Sequence, residues 1–291
     1  MEDIKKIVRG IAALIGFVQN HFKAVILLLF LLLVFSSLLQ QPPVQPNLYR
    51  IDLYGPIASA DNFLSEIEAA NAESIKGVLL VVDSPGGSVS PSVEMMMALS
   101  DLAERKPVVA YSAGTMASGS YYASVWASEI VANPGSIIGS IGVMMEGVNA
   151  EELLEKIGLK IRVIKAGDYK EAGTFYREWT EDERKQIHQV IDATYDMFVS
   201  DVARARGLDK KDAPKFANGK VFTAAQALEV GLIDKIGSIT TAQGRLTELS
   251  GVKTPVWNEK SMLKKFEERL SENLESALQK SFSSAMKMRL E

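Results

Sequence analysis

The sequence predicts an α/β domain assembled from βαβ units. Three observations carry this reading. Residues 76–87, "KGVLLVVDSPGG", form an apolar run that breaks into serine, proline and glycine, the pattern of a parallel strand buried on both faces and its exit loop. From residue 48 to about 143, runs of that kind alternate with stretches of helical period, which favours a parallel sheet with helical crossovers. The chain has 291 residues, 47% of them hydrophobic, enough for one good-sized core with small appendages.

Taken in order, the chain begins with a segment, 1–23, that carries Lys5, Lys6, Arg9 and Lys23. Residues 24–40 follow, and "AVILLLFLLLVFSSLL" within them is free of charge. As a helix this stretch spans about 24 Å, a little short of a roughly 30 Å hydrocarbon core, with Phe22 to extend it and Lys23 to snorkel. No charge follows until Arg50, so the positive-inside rule predicts a single-pass anchor with a cytoplasmic N-terminus and the remainder outside. The alternative is a cleaved signal peptide. The long leading segment and the lack of an A-x-A site speak against cleavage. Residues 41–47, "QPPVQPN", make an extended, semi-rigid spacer.

The outer domain is expected over 48–250. "LYRIDLYG" is a strand ended by Gly55-Pro56, and "SADNFLSEIEAANAE" a helix capped by Ser59 or Asp61. The 76–87 strand leads into the helix "SPSVEMMMALSDLAERK", which stops before Pro107. "PVVAYSAG" is a strand, "SGSYYASVWAS" a helix and "EIVANPGS" another strand and turn. After Val143 the pattern turns helical. "TEDERKQIHQVIDATYDMFVSDVARARG" opens on a capping box, Thr180 with Glu183, and closes on Gly207. "FTAAQALEVG" is a shorter helix capped by Thr223. Residues 251–291 read as a charged amphipathic helical tail suited to packing or assembly.

Composition excludes several chemistries. A net charge of −4 provides no basic field for nucleic acid. The absence of cysteine removes disulfides, zinc-thiolate sites and cysteine nucleophiles together. Only His21 and His188 are present, which disfavours a histidine metal site and leaves no supported histidine triad. His21 precedes the apolar span, and His188 lies in a long polar helix.

Ser118 remains as a candidate nucleophile. It opens a helix directly after a strand and a glycine-bearing loop, which exposes its hydroxyl where the helix N-terminus favours negative charge. The N–H of Gly119 and a glycine N–H of the neighbouring "SPGG" loop can approach a substrate oxyanion closely. The same residues also fit a plain helix N-cap and two glycine turns. A serine hydroxyl needs a base, and with histidine set aside the remaining group is a lysine. A free lysine is neutral only about one time in a thousand near pH 7.4, so a lysine base belongs in an ordered, partly dry place. "KAGDYKEAGTF" presents Lys170 in a glycine-flanked turn, but the residues alone do not separate it from Lys165 or Lys160.

The pieces "DSPGG", "MASGSYYAS", "NPGSIIGSIGV", "GDYKEAG" and "GKVFTAAQALEVGLIDKIG", in that order over residues 48–238, resemble the bacterial signal peptide peptidase A family of membrane-anchored Ser–Lys proteases. These are distantly similar to the proteolytic subunit of Clp protease and to the crotonases. The resemblance implies a Clp protease/crotonase-like core. It matches Ser118 to the nucleophile, Lys170 to the general base, Gly87 and Gly119 to the oxyanion donors, and Ser140 to a serine that hydrogen-bonds the lysine. Asp83 and Ser84 would shape the oxyanion loop. Ser120 stands where relatives often carry another glycine. The implied reaction is peptide hydrolysis through an acyl-enzyme, with no metal and no cofactor. Implied substrates are remnant signal peptides and other hydrophobic unfolded segments at the inner-membrane surface. Implied partners are the membrane and further copies of the chain, with active sites shared between protomers. Two rivals share parts of this pattern. A crotonase-like acyl-CoA enzyme would keep the oxyanion glycines without needing Ser118, and a membrane-tethered scaffold would need no chemistry.

Overall fold

A computed structural model describes residues 45–258 and, before them, only residues 21–24, 26, 27, 30 and 31. The chain divides into two units, Met1–Gln45 and Pro46–Glu291. Most of the expected anchor, nearly all of the leading segment and the tail beyond residue 258 lie outside the described residues. Among the described residues no helix is long and apolar enough to cross a membrane.

Within the second unit, β1 (Leu48–Tyr54), α1 (Asp61–Ala70), β2 (Gly77–Ser84), α2 (Val89–Ala103), β3 (Val108–Ala117), α3 (Gly119–Ser124) and β4 (Glu129–Ala132) alternate as expected. There follow β5 (Ile137–Gly139), α4 (Glu151–Lys156), α5 (Glu181–Arg206), α6 (Ala213–Phe216), β6 (Val221–Thr223), α7 (Ala224–Glu229), β7 (Lys235–Ile236) and α8 (Ile239–Ser250). The strands join one sheet in the order β1-β2-β3-β4-β7, all parallel. β3 is long enough to serve two neighbours. Val109–Ser112 pair with β4, and Thr115–Ala117 pair with β5, which in turn takes β6 antiparallel. The sheet therefore forks along β3, and Ser118 follows its last residue.

Burial explains the continuous apolar run of β2. Val78, Leu80 and Val82 face a core shared with Phe63, Leu99, Tyr121 and Phe198 from four helices. Leu79 and Val81 face the opposite side, where Ala242 and Leu246 of α8 cover them. Each such buried aliphatic stabilises by about 1.5–3 kcal/mol, so the sheet outweighs any one helix cap at about 1 kcal/mol. The chain remains on this body to its last described residue. Trp257 bridges Leu48, and the Asn258 side chain accepts from the Arg50 N–H and donates to the Arg50 carbonyl.

Three expectations change. α1 is capped at Ala60, without a side-chain cap bond, because Ser59 and Asp61 bond to one another instead. The stretch after Val143 holds only the six-residue α4 before α5. Its apolar residues, Met144, Val148, Leu153, Ile157 and Ile164, are exposed, so among the described residues no core draws them onto one helical face. α8 and the short strands β5 to β7 are additions to the expected elements. The Thr180–Glu183 capping box opens α5 as expected, and the expected cap Thr223 opens α7 as part of a box with Gln226.

Candidate functional site

The ends of β2 and β3 are adjacent, and their exit loops build the site. Asp83, at the end of β2, accepts a 2.7 Å hydrogen bond from the Thr115 N–H of β3. Ser120 reaches back from α3, donating to the Ser84 carbonyl at 2.6 Å and accepting from the Ala117 N–H at 2.9 Å. These bonds tie the two loops together, and Ser120 is fully buried. Its extra hydroxyl is thus a tie that a glycine at 120 would lack.

Ser118 sits at the junction with φ 52° and ψ −122°. Among the described residues, Ser118 and Ser140 (φ 49°) alone combine a side chain with positive φ. Such a backbone costs about 1–3 kcal/mol and persists only where its surroundings enforce it. The enforcement is visible on both sides. The Ser118 N–H donates to the Gly139 carbonyl at 2.7 Å, and the Ser140 N–H donates to the Lys220 carbonyl at 2.7 Å. Ala117 pairs with Gly139 in the sheet, so the two strained serines leave neighbouring strand ends together. A sharp strand-to-helix turn of this kind lifts a serine hydroxyl clear of its own backbone.

Gly87 and Gly119 flank Ser118. Gly87 forms a parallel bridge with Ile57 in which Gly86 supplies the carbonyl and Ser88 the N–H. Among the described residues the Gly87 N–H has no partner, and in a parallel bridge of this register it points away from Ile57. A Cβ on Gly87 would meet the Ile57 carbonyl oxygen at 2.1 Å. Gly119 is the first residue of α3, so its N–H has no intrahelical partner. A Cβ on Gly119 would lie 2.2 Å from the Ser92 hydroxyl and 3.4 Å from the Gly87 nitrogen. Two N–H groups unpaired among the described residues therefore stand beside one hydroxyl, an arrangement able to hold a developing oxyanion.

Beneath them lies a cavity of about 100 Å³, lined by Val89, Ser92, Tyr122, Val143, Met144 and Phe198 together with Ser118 and both glycines. Tyr122 and Phe198 pack at 4.4 Å between ring centroids, and the Tyr122 hydroxyl donates to Asp201 at 2.5 Å. Burial, followed by the Asp201 carboxylate, pushes the Tyr122 phenol well above its ordinary range, so it stays neutral. Ser92 and Phe198 escaped the sequence reading. Their signal is tertiary, since α5 supplies Phe198 from 80 residues further along the chain.

Lys170 stands elsewhere. It is exposed, in a turn that lines a second cavity with Lys165, Glu171 and Tyr176, and no residue of that cavity lines the one beside Ser118. Among the described residues no hydrogen bond joins Lys170 to Ser118 or to Ser140. Lys165 is different: its Nζ lies 2.5 Å from a Glu171 carboxylate oxygen. Behind it Arg177 makes a two-pronged pair with Glu183, at 2.7 and 2.9 Å. Arg177 first, then the Thr180 N–H, pull the Glu183 carboxyl down to about 2. Among the described residues no cluster of three or more His, Asp or Glu side chains is arranged to hold a metal.

Residues 100–253 match the sequence model of Peptidase family S49. A putative protease of Synechocystis sp. is 39% identical over 205 residues, covering 70% of this chain and 74% of its own. A putative protease of Methanocaldococcus jannaschii is 41% identical over 194 residues, covering 67% and 62%. A putative signal peptide peptidase SppA of Enterococcus faecium is 33% identical, covering 66% of this chain and 56% of its own. Among solved structures, a mutant of the 1510-N membrane-bound stomatin-specific protease superposes with TM-score 0.51 at 17% identity, covering 75% of this chain and all of that one. That last likeness concerns the fold alone.

Proposed function

The chain belongs to peptidase family S49, and from that premise we propose that it is a serine endopeptidase with Ser118 as nucleophile and Lys170 of a neighbouring protomer as general base. The observation that carries the proposal is the strained backbone of Ser118 beside two unpaired glycine N–H groups. Neutral Lys170 takes the Ser118 proton as Oγ bonds to the peptide carbonyl carbon, and the N–H groups of Gly87 and Gly119 hold the carbonyl oxygen as it becomes an anion. The C–N bond then breaks, and the lysine proton passes to the leaving amine. Water attacks the acyl ester, giving its proton to the same lysine; the acyl C–O bond then breaks, the lysine returns that proton to the Ser118 oxygen, and the carboxylic acid product leaves with the enzyme regenerated.

Assembly supplies what one chain lacks. Lys170 rides on an arm whose exposed Met144, Val148, Leu153, Ile157 and Ile164 offer apolar surface to a second copy. Docking there would dry the lysine and bring it to a neighbour's Ser118, with Ser140 turned to its amine. Subunit mixing tests this. Ser118→Ala and Lys170→Ala chains, each inactive alone, should together regain part of the wild-type activity after exchange. No regain after verified exchange means that each chain holds its own pair.

The substrates fit the cavity. A space of about 100 Å³ walled by Val89, Tyr122, Val143, Met144 and Phe198 takes one short or mid-sized apolar side chain. Such side chains abound in signal peptides and other unfolded hydrophobic segments, which we take as the substrate class. The charge-free stretch within residues 24–40 would hold the enzyme at the inner membrane, with the catalytic unit outside, where these peptides emerge. A signal-peptide library digested by the full chain, with Ser118→Ala as control, tests the class. Phe198→Ala should raise relative kcat/KM for phenylalanine over alanine at the cleavage point by roughly tenfold. An unchanged ratio removes Phe198 from the specificity wall.

A further inference from the structure

The turn that carries Lys170 is held by charges that the reaction itself does not use. Glu171, the next residue, accepts a 2.7 Å hydrogen bond from the Tyr176 hydroxyl and pairs with Lys165 at 2.5 Å and Arg177 at 3.4 Å. Arg177 continues to Glu183, a buried carboxylate that also closes the capping box of α5. Two cations and two anions thus form one line from the lysine turn to the first residues of a 26-residue helix.

We infer that Glu171 is a positioning residue for Lys170, anchoring its turn to α5 while Lys165 and Arg177 balance the carboxylate it brings into the cavity that Lys170 lines. The inference rests on Lys170 as the base. It also separates Lys170 from Lys165, one of the two alternatives the sequence leaves open. Lys165 is held in an ion pair with Glu171, whereas the Lys170 side chain makes no ion pair or hydrogen bond among the described residues.

Charge balance gives the inference a signature that simple anchoring lacks. The titratable and charged groups around Lys170 are Asp168, Tyr169 and Glu171 in its own turn, Lys165 and Tyr176 across the cavity, and Arg177 with Glu183 behind. Lys165→Met leaves Glu171 undercompensated, which favours the protonated amine at 170. The acid limb of the kcat/KM pH profile should then move up by about half a pH unit. Glu171→Gln leaves a surplus cation, and the limb should move down by a similar amount. The double variant restores neutrality and should return the limb to the wild-type position.

The experiment is the pH profile of the full chain on one fluorogenic peptide for wild type, both single variants and the double. Lys165→Arg is the conservative control and should retain the wild-type limb. Opposite shifts that cancel in the double variant support the inference. Limbs that stay fixed while kcat falls, or that move in the same direction, overturn it and leave Glu171 a structural residue. Lys170→Ala, assayed alongside, separates the two layers. If that variant retains activity, the base assignment fails. If it is inactive while the limbs stay fixed, only the role of Glu171 fails.

Discussion

Alanine at position 118 is expected to lower peptidase turnover by roughly a million-fold, the scale seen when a serine nucleophile is removed from an acyl-transfer enzyme. The fold should survive, because the Ser118 hydroxyl makes no hydrogen bond among the described residues and the Cβ is retained. Glycine at the same position makes the point more sharply. Ser118 holds φ 52° and ψ −122°, a conformation glycine adopts freely. Ser118→Gly should therefore be just as inactive and yet more stable than Ser118→Ala, by about 1 kcal/mol in denaturant unfolding. A gain in stability with total loss of activity is the mark of strain kept for function. Were Ser118 an ordinary helix cap, both substitutions would weaken the fold and spare hydrolysis.

Gly87→Ala is expected to have a large effect too, though short of the complete loss expected when either Ser118 or Lys170 is removed. Its Cβ would stand 2.1 Å from the Ile57 carbonyl oxygen and 2.7 Å from the Ile57 nitrogen. Both are backbone atoms, so the loop itself must shift, and the Gly87 N–H shifts with it. Loss of one oxyanion donor costs about 100- to 1000-fold in kcat, with a smaller change in KM. A helix glycine supplies the contrast. Gly244 in α8 has nothing within 4 Å of an added Cβ, so Gly244→Ala should leave kcat unchanged and add up to about 1 kcal/mol of stability. Equal kcat for wild type and Gly87→Ala would remove the Gly87 N–H from the reaction.

Much of this arrangement is legible in the residues, for identifiable reasons. β1, β2 and β3 declare themselves because both faces of β2 are buried, which requires an unbroken apolar run. The capping boxes at Thr180 and Thr223 are local motifs, complete within four residues, and the structure forms both. β5 and β6 are less legible, since each has three residues and exists only through its pairing, β5 with β3 and β6 with β5. The cap of α1 turns on one competing bond, Ser59 to Asp61, that residue type does not decide. The arm after Val143 misleads for a deeper reason. Its residues read as helical, but among the described residues nothing buries its apolar side chains. Ser118 and the two glycines could be singled out because a strand, a glycine loop and a helix start are written consecutively. The pairing of Glu171 with Lys165 and Arg177 depends on how a turn closes, which spacing alone does not fix.

The central claim is that the Ser118 hydroxyl is activated for attack by an amine. Peptide mapping of the full chain after reaction with a serine-directed fluorophosphonate addresses it most directly. The account predicts one adduct, on Ser118, formed quickly in the wild type and at least a hundredfold more slowly in Lys170→Ala. An adduct on another serine, or labelling of Ser118 at the same rate without Lys170, would contradict it.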